Sequence, residues 1–136
     1  IVIALLICCI VYFKPLSLSD VAGTDNQIKM VYSQLGVKNG EPYIDSVDYQ
    51  DITMEQKNAI LSLLDKYTYR RTVGTLFSHG STSDLGNKTF SIYVYDNNLL
   101  INSVLVTSSG KVVINEKTYN MEDAEPFIEQ IVEIMN

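Results

Sequence analysis

Between Thr89 and Tyr119 the hydrophobic and polar positions fall into three runs separated by two short polar breaks. Phe90, Ile92 and Val94 alternate with Ser91, Tyr93 and Tyr95, the period-two pattern of a strand with one buried face. Asp96-Asn97-Asn98 supplies turn chemistry, because short Asx side chains tolerate left-handed backbone and bond back to nearby amides. Leu100 to Thr107 returns, Ser108-Ser109-Gly110 turns again, and Lys111 to Asn115 forms a third run rich in β-branched residues. The pattern predicts a three-strand meander whose apolar face needs a cover.

Two amphipathic helices can provide it. Thr53 and Gln56 stand at capping-box spacing, and Ile60, Leu63, Leu64 and Tyr67 then recur at i, i+3, i+4 and i+7. A last helix is predicted from Asp123, with Pro126 in its first turn and Ala124, Phe127, Ile128, Ile131, Val132 and Met135 on its core face. Gln27 to Leu35 fits either periodicity. The Asn39-Gly40 hairpin signal and the run from Tyr43 to Tyr49 favour a strand with its return, and Pro42 suits an edge. Tyr69 to Phe77 reads as a further strand that leads into a polar loop, residues 78–88. The expected fold is α+β: a mostly antiparallel sheet of hairpin, strand and three-strand meander, with two helices packed on one face. The other face is expected to be partly solvated and to carry Tyr93 and Tyr95.

Ile1 to Phe13 is unbroken apolar sequence closed by Lys14-Pro15. Such a run is shorter than the roughly 20 residues that span a bilayer, and it matches a signal-peptide core or a membrane anchor. Ile7 precedes Cys8, whereas a lipoprotein signal wants a small residue there, and no Ala-x-Ala cleavage site follows Phe13. A retained signal anchor is therefore favoured over a lipoprotein, and cleavage would give a secreted protein. On this reading residues 1–13 attach to membrane, 14–26 form a tether and 27–136 form one domain on the extracytoplasmic face.

Composition sharpens the picture in two respects. The chain of 136 residues carries a net charge of −6, a surface that repels nucleic acid. Both cysteines, Cys8 and Cys9, lie in the apolar leader, so the remainder has no disulfide, CxxC or thiolate chemistry.

Candidate chemistry is sparse. Asp45, Asp48, Asp51 and Glu55 form the densest acidic group, but their spacing does not match a calcium loop, so neither metal nor another cofactor is expected. His79, the one histidine, stands among Ser78, Ser81 and Ser83 with no recognisable nucleophile or hydrolase motif around it. Arg70 and Arg71 occupy adjacent positions that would face opposite ways in a strand. Tyr93 and Tyr95 belong to a set of nine tyrosines, and exposed aromatic strand faces often mark binding surfaces.

The segments Lys66 to Thr72, Ser91 to Asp96 and Gly110 to Tyr119 together resemble a recurrent group of small exported proteins of Gram-positive bacteria. That group has an N-terminal anchor or lipoprotein leader followed by one α+β domain of uncharacterised function. The resemblance implies an extracytoplasmic location and supports the order of elements; it supplies no catalytic residues. The expected function is non-enzymatic binding of a protein or small ligand at the cell envelope, with Tyr93, Tyr95, Arg70, Arg71 and His79 as candidate binding residues. An inhibitor or immunity-type protein that uses the 78–88 loop is the alternative, and a hydrolase built on His79 ranks last.

Overall fold

Residues 1–77 and 88–136 are described by a computed structural model. The elements run α1 (Val2–Tyr12), β1 (Leu16–Ser17), α2 (Ser19–Ala22), β2 (Gln27–Lys38), β3 (Glu41–Tyr49), α3 (Met54–Lys66) and β4 (Thr68–Tyr69). A 3-10 turn (Val73–Leu76) precedes β5 (Lys88–Asp96), β6 (Leu99–Thr107), β7 (Lys111–Ile114), β8 (Lys117–Asn120) and α4 (Ala124–Met135). Among the described residues the strands form a six-stranded sheet in the order β3-β2-β5-β6-β7-β8, antiparallel throughout, and a small pair, β1 with β4. The α+β class and the helices on one face agree with the pattern read from the sequence.

Tight turns explain why every adjacent pair of the main sheet except β2–β5 joins neighbours in sequence. Asn39 and Gly40 have φ of 54° and 83°, and Asn97 and Asn98 have 46° and 66°. Positive φ at both central residues is the two-residue hairpin geometry whose twist matches that of the strands. Asn115 and Glu116 repeat it at 46° and 69°, and so create β8, a fourth strand of the meander where three were expected. Its turn lacks glycine and its length is only four residues, so the sequence signal is faint.

Register then sorts the side chains. Ile28 pairs with Val94, Met30 with Ile92, Phe90 with Val106, and Val104 with Ile114, so the apolar sets share one face. Phe90, Val94 and Val106 are fully buried there beneath Ile60 and Leu64 of α3 and Phe127, Ile128 and Ile131 of α4. The capping box of α3 forms as predicted, with the Gln56 amide donating to Thr53 Oγ1 at 3.1 Å and the Thr53 amide donating to Gln56 Oε1 at 3.0 Å. Asp123 occupies the N-cap position of α4. Lys88 Nζ ties the start of β5 to α4 through Glu129 at 3.1 Å and Glu125 at 3.4 Å.

Two expectations need correction. Residues 14–26 are not simply a tether, because Leu18, Val21 and Ala22 are buried in the core. They meet Leu64, Ile92, Val94 and Val104 around a small apolar void. Asn102, placed on the core face of β6 opposite Val94, donates from Nδ2 to the Val21 carbonyl at 2.8 Å and accepts from Asn115 Nδ2 at 2.8 Å. The run Tyr69–Phe77 is not a continuous strand either. Only Thr68–Tyr69 and a bridge from Arg70 to Asn120 are extended. After them Thr75 Oγ1 accepts from the Thr72 amide at 2.8 Å and donates to the Thr118 carbonyl at 2.6 Å. These local side-chain bonds close a turn where a ladder would otherwise continue.

Gly110 holds the β6–β7 turn at φ 95°, and a Cβ there would lie 2.7 Å from the Met121 carbonyl oxygen, which the backbone of the next segment holds in place. We expect Gly110→Ala to lower stability by about 2–3 kcal/mol, from strained backbone and overpacking together. A urea midpoint unchanged from that of the parent would contradict this.

Alkaline pH tests the packing differently. Burial, followed by the neighbouring Tyr119, raises the Tyr69 pKa above the ordinary 10.0, and burial followed by Tyr32 raises that of Tyr49. The hydrogen bond to Glu129 raises Lys88 above 10.5, against an opposing effect of burial. In each case the folded state holds the proton more tightly than the unfolded chain. Stability from these groups is therefore complete below their unfolded pKa values and is lost as pH rises through the raised folded ones. Urea titrations from about pH 8 to about pH 11 should show a decline beginning near the ordinary tyrosine pKa, and Tyr69→Phe should flatten it. Lys88→Met should cost about 0.5 kcal/mol at neutral pH, as befits an ion pair whose carboxylates are largely exposed.

Candidate binding surface

The helices leave the opposite face of the sheet uncovered. Period-two alternation places Lys29, Tyr93 and Ser103 side by side on it, and next to them the row Asp48, Val31, Ser91, Leu105, Val113 and Thr118. The aliphatic members of that row are half-buried by their neighbours and present their outer surfaces to solvent. Tyr93 and Tyr95 stand where the sequence places them, both half-buried on this face. A bulge opposite Val94 and Tyr95 adds Ile101 to β6, which brings Leu100 rather than Ile101 opposite Tyr95. The Lys29 ammonium lies 5.2 Å from the Tyr95 ring centroid, a cation–π contact that holds the ring in place.

The surface continues onto the β2–β3 hairpin, which projects beyond β5. Pairing with β5 ends at Gln34, whereas β2 and β3 stay paired to Lys38 and Glu41. Leu35 faces Ile44 and Val37 faces Pro42 on the uncovered side, and Val37 is 72% exposed and Ile44 65%. On the other side the Tyr43 ring lies across Gly36, where a Cβ would come within 2.6 Å of it. The glycine thus serves close cross-strand aromatic packing. Apart from half-buried Tyr49, every residue of β3 is exposed.

The two edges of the sheet differ. At β8 the Arg70 amide donates to the Asn120 carbonyl at 2.8 Å, the Asn120 amide donates back at 3.0 Å, and Thr75 caps the Thr118 carbonyl. At β3 no further strand pairs among the described residues. Pro42, placed at this edge by its sequence, costs the ladder nothing there.

The remaining candidate residues lie elsewhere. Arg70 lines a cleft of about 400 Å³ with Lys66, Tyr67, Glu122, Asp123 and Gln130, in which Gln130 Nε2 donates to Tyr67 Oη at 2.8 Å. Its two cations face two carboxylates, so charge does not select an anion. Arg71 turns instead to the end of α1, with its guanidinium carbon 5.5 Å from the Tyr12 ring centroid and Nη1 donating to the Tyr12 carbonyl at 3.4 Å. Tyr12 Oη donates to the Thr72 carbonyl at 3.4 Å. His79 and the rest of the loop up to residue 87 lie outside the described residues. Tyr93 and Tyr95 thus share a surface; Arg70 and Arg71 belong to two other places. Asp45, Asp48, Asp51 and Glu55 are all exposed, and among the described residues no three side chains of metal-ligating type converge.

Sequence reasoning passed over Lys29, Leu35, Ile44 and Leu105. A signal for the hairpin was present: Ile44 and Val47 differ in parity, so an apolar residue must face outward on either side of β3. Comparison of the chain with protein-family models, curated proteins and solved structures finds no match.

Proposed function

We propose that the protein is a non-enzymatic binding module of the cell envelope, attached to membrane through residues 1–13, which presents its uncovered sheet face and β2–β3 hairpin to a protein partner. The observation that carries this reading is the continuous surface from Tyr95 and Tyr93 across Val31 and Leu105 to Leu35, Val37 and Ile44. Exposed aliphatic and tyrosine side chains on a rigid sheet offer apolar contact area at little entropic cost, as interface centres require. The projecting hairpin supplies an apolar tip and a backbone edge for recognition. A small polar ligand is less well served, since this surface is broad and convergent polar groups are lacking on it.

Membrane attachment is supported by α1, an 11-residue apolar helix with no buried side chain. No helix among the described residues is long and apolar enough to cross a membrane. At about 1.5 Å per residue α1 would reach about halfway through a hydrocarbon core of about 30 Å. Exposure of Leu5, Leu6, Ile7 and Ile10 to water is unfavourable, and a bilayer or a continuing apolar segment would relieve it. The full chain should float with neutral phosphatidylcholine vesicles in a density gradient, and a variant without residues 1–13 should stay at the bottom. Flotation of both to the same extent would place membrane contact elsewhere.

The partner-binding surface is tested in source cells with a photo-crosslinking amino acid at position 93, and at position 58 on exposed α3 as the control. A discrete adduct from position 93 that is missing from position 58 is expected. Tyr95→Ala in the same chain should weaken it at least about tenfold, the usual effect of removing a central aromatic anchor. Stability should fall by less than about 1 kcal/mol, since the Tyr95 ring sits outside the helix-covered core. Equal adducts from both positions, or an adduct from position 93 unaffected by Tyr95→Ala, would refute the assignment.

A further inference from the structure

We infer that β3 is an acceptor edge that takes up an extended cationic segment of a partner as a seventh strand, an inference that rests on the binding-module reading. Lys38 and Glu41 close a two-residue turn, and from such a pair the hydrogen bonding to the neighbouring strand alternates. Tyr43, Asp45 and Val47 therefore direct their amides to β2, while Ile44, Ser46 and Asp48 direct theirs outward. Pro42 falls in the outward set, where its missing donor disturbs nothing on the β2 side. Among the described residues the outer side of this nine-residue strand is unpaired, while the opposite edge is occupied by Arg70 and Thr75.

Natural sheets blunt such an edge with lysines, bulges or covering segments. Among the described residues β3 has no lysine, bulge or covering segment, and pairing with β2 is regular from Met30–Tyr49 to Lys38–Glu41. Besides Pro42 at the tip its guards are the acids Glu41, Asp45 and Asp48, which oppose an acidic strand and attract a cationic one. The strand contains Glu41, Asp45 and Asp48 and no basic residue; Asp51 and Glu55 follow directly. Lys38 faces Glu41 at the tip, so the unmatched acid is concentrated on the half of the strand nearer α3. The charge pattern decides the occupant. A second copy of β3 would add three more acids and no cation, so no register forms an ion pair, and registers such as Asp45 opposite Asp45 set like charges face to face, which opposes pairing. A strand with Lys or Arg toward Asp45 and Asp48, and β-branched residues toward Ile44 and Val47, complements it on both faces. Backbone pairing would supply affinity and the side chains selectivity, as in other strand-addition complexes.

The test uses the full chain in neutral detergent micelles and three fluorescent nine-residue peptides. One, the Lys–Val peptide, repeats Lys-Val-Thr, so that lysines three residues apart meet Asp45 and Asp48 while valines meet Ile44 and Val47. A second is the same sequence N-methylated at the alternate residues whose amides would face β3, and a third, the Glu–Val peptide, has Glu in place of each Lys. We expect the Lys–Val peptide to bind and to slow hydrogen exchange at the amides of Ile44, Ser46 and Asp48, with β8 unaffected. N-methylation should weaken binding at least tenfold, and the Glu–Val peptide should bind at least tenfold more weakly than the Lys–Val peptide. Ser46→Pro, which deletes one outward amide, should weaken binding at least tenfold, and Ser46→Ala, which keeps it, should not.

Equal binding of the methylated peptide would reduce the effect to charge attraction alone and overturn the proposal, whether or not Ser46→Pro folds. Protection of the same amides without peptide, in a dimer, would assign the edge to a second copy and overturn it as well. Crosslinks from position 93 in cells report on the sheet face independently. If they persist while no peptide pairs with β3, the edge proposal fails and the binding-module reading stands; if they vanish, that reading fails first.

Discussion

The register of β2, β5, β6 and β7 is the constraint on which the rest of the structure depends. A period of two puts Ile28, Met30, Phe90, Ile92, Val94, Val104, Val106, Val112 and Ile114 on one face, and a slip of one residue would turn the whole set toward water. At about 25 cal/mol per Å² of apolar surface buried, that set outweighs any polar contact in the molecule. It fixes where α3 and α4 dock, and by the same parity it puts Lys29, Val31, Tyr93 and Leu105 on the side that no helix covers. The candidate surface is thus the geometric complement of the core.

The pattern carried in the sequence is strongest where the periodicity is long and both neighbours agree. Phe90 to Val94 alternates cleanly and Ile60 to Tyr67 recurs at helical spacing, so the meander, α3 and α4 can be read directly. β8 is hard to read because a turn at Asn115-Glu116 depends on two non-glycine residues held at positive φ, which only tertiary pairing with β7 justifies. Leu18, Val21 and Ala22 are spaced as one helical turn, too short to rise above a polar context of Ser17, Ser19 and Asp20. The stretch from Arg70 to Phe77 has strand-like composition, and the Thr72–Thr75 exchange of hydrogen bonds overrides it locally. Of the candidate residues, Tyr93 and Tyr95 were legible because alternation alone fixes their face. Arg70 and Arg71 were not, since their surroundings depend on a bridge to β8 and a contact with Tyr12.

The difference between the two sheet edges has a direct physical cause. Chain that enters from β1 pairs with β4, and β4 continues into the Arg70 bridge and the 3-10 turn, so the segment before β5 is used to close β8. Among the described residues nothing comparable returns to β3: the chain leaves Tyr49 directly for α3 on the covered face. Connectivity of this kind, with sequence neighbours paired by turns of two or three residues, spends almost all linking sequence on one side of the sheet.

The same connectivity separates the apolar leader from the open edge. Tyr12 contacts Thr72 and Arg71, and the next residues of that segment hold β8, so α1 joins the fold at the closed edge. From β8 to β3 the sheet order spans five strand spacings, about 24 Å at the usual separation of about 4.8 Å. Attachment of α1 to a bilayer would therefore hold the closed edge toward the membrane and leave β3 on the far side of the sheet. An anionic leaflet would also repel a chain of net charge −6, which favours an orientation with the acidic residues of β3 and the start of α3 turned away. Tether position, edge closure and charge thus point the same way. Each arises from a different part of the sequence, and together they set one strand, acidic and unpaired among the described residues, at the side of the sheet farthest from α1.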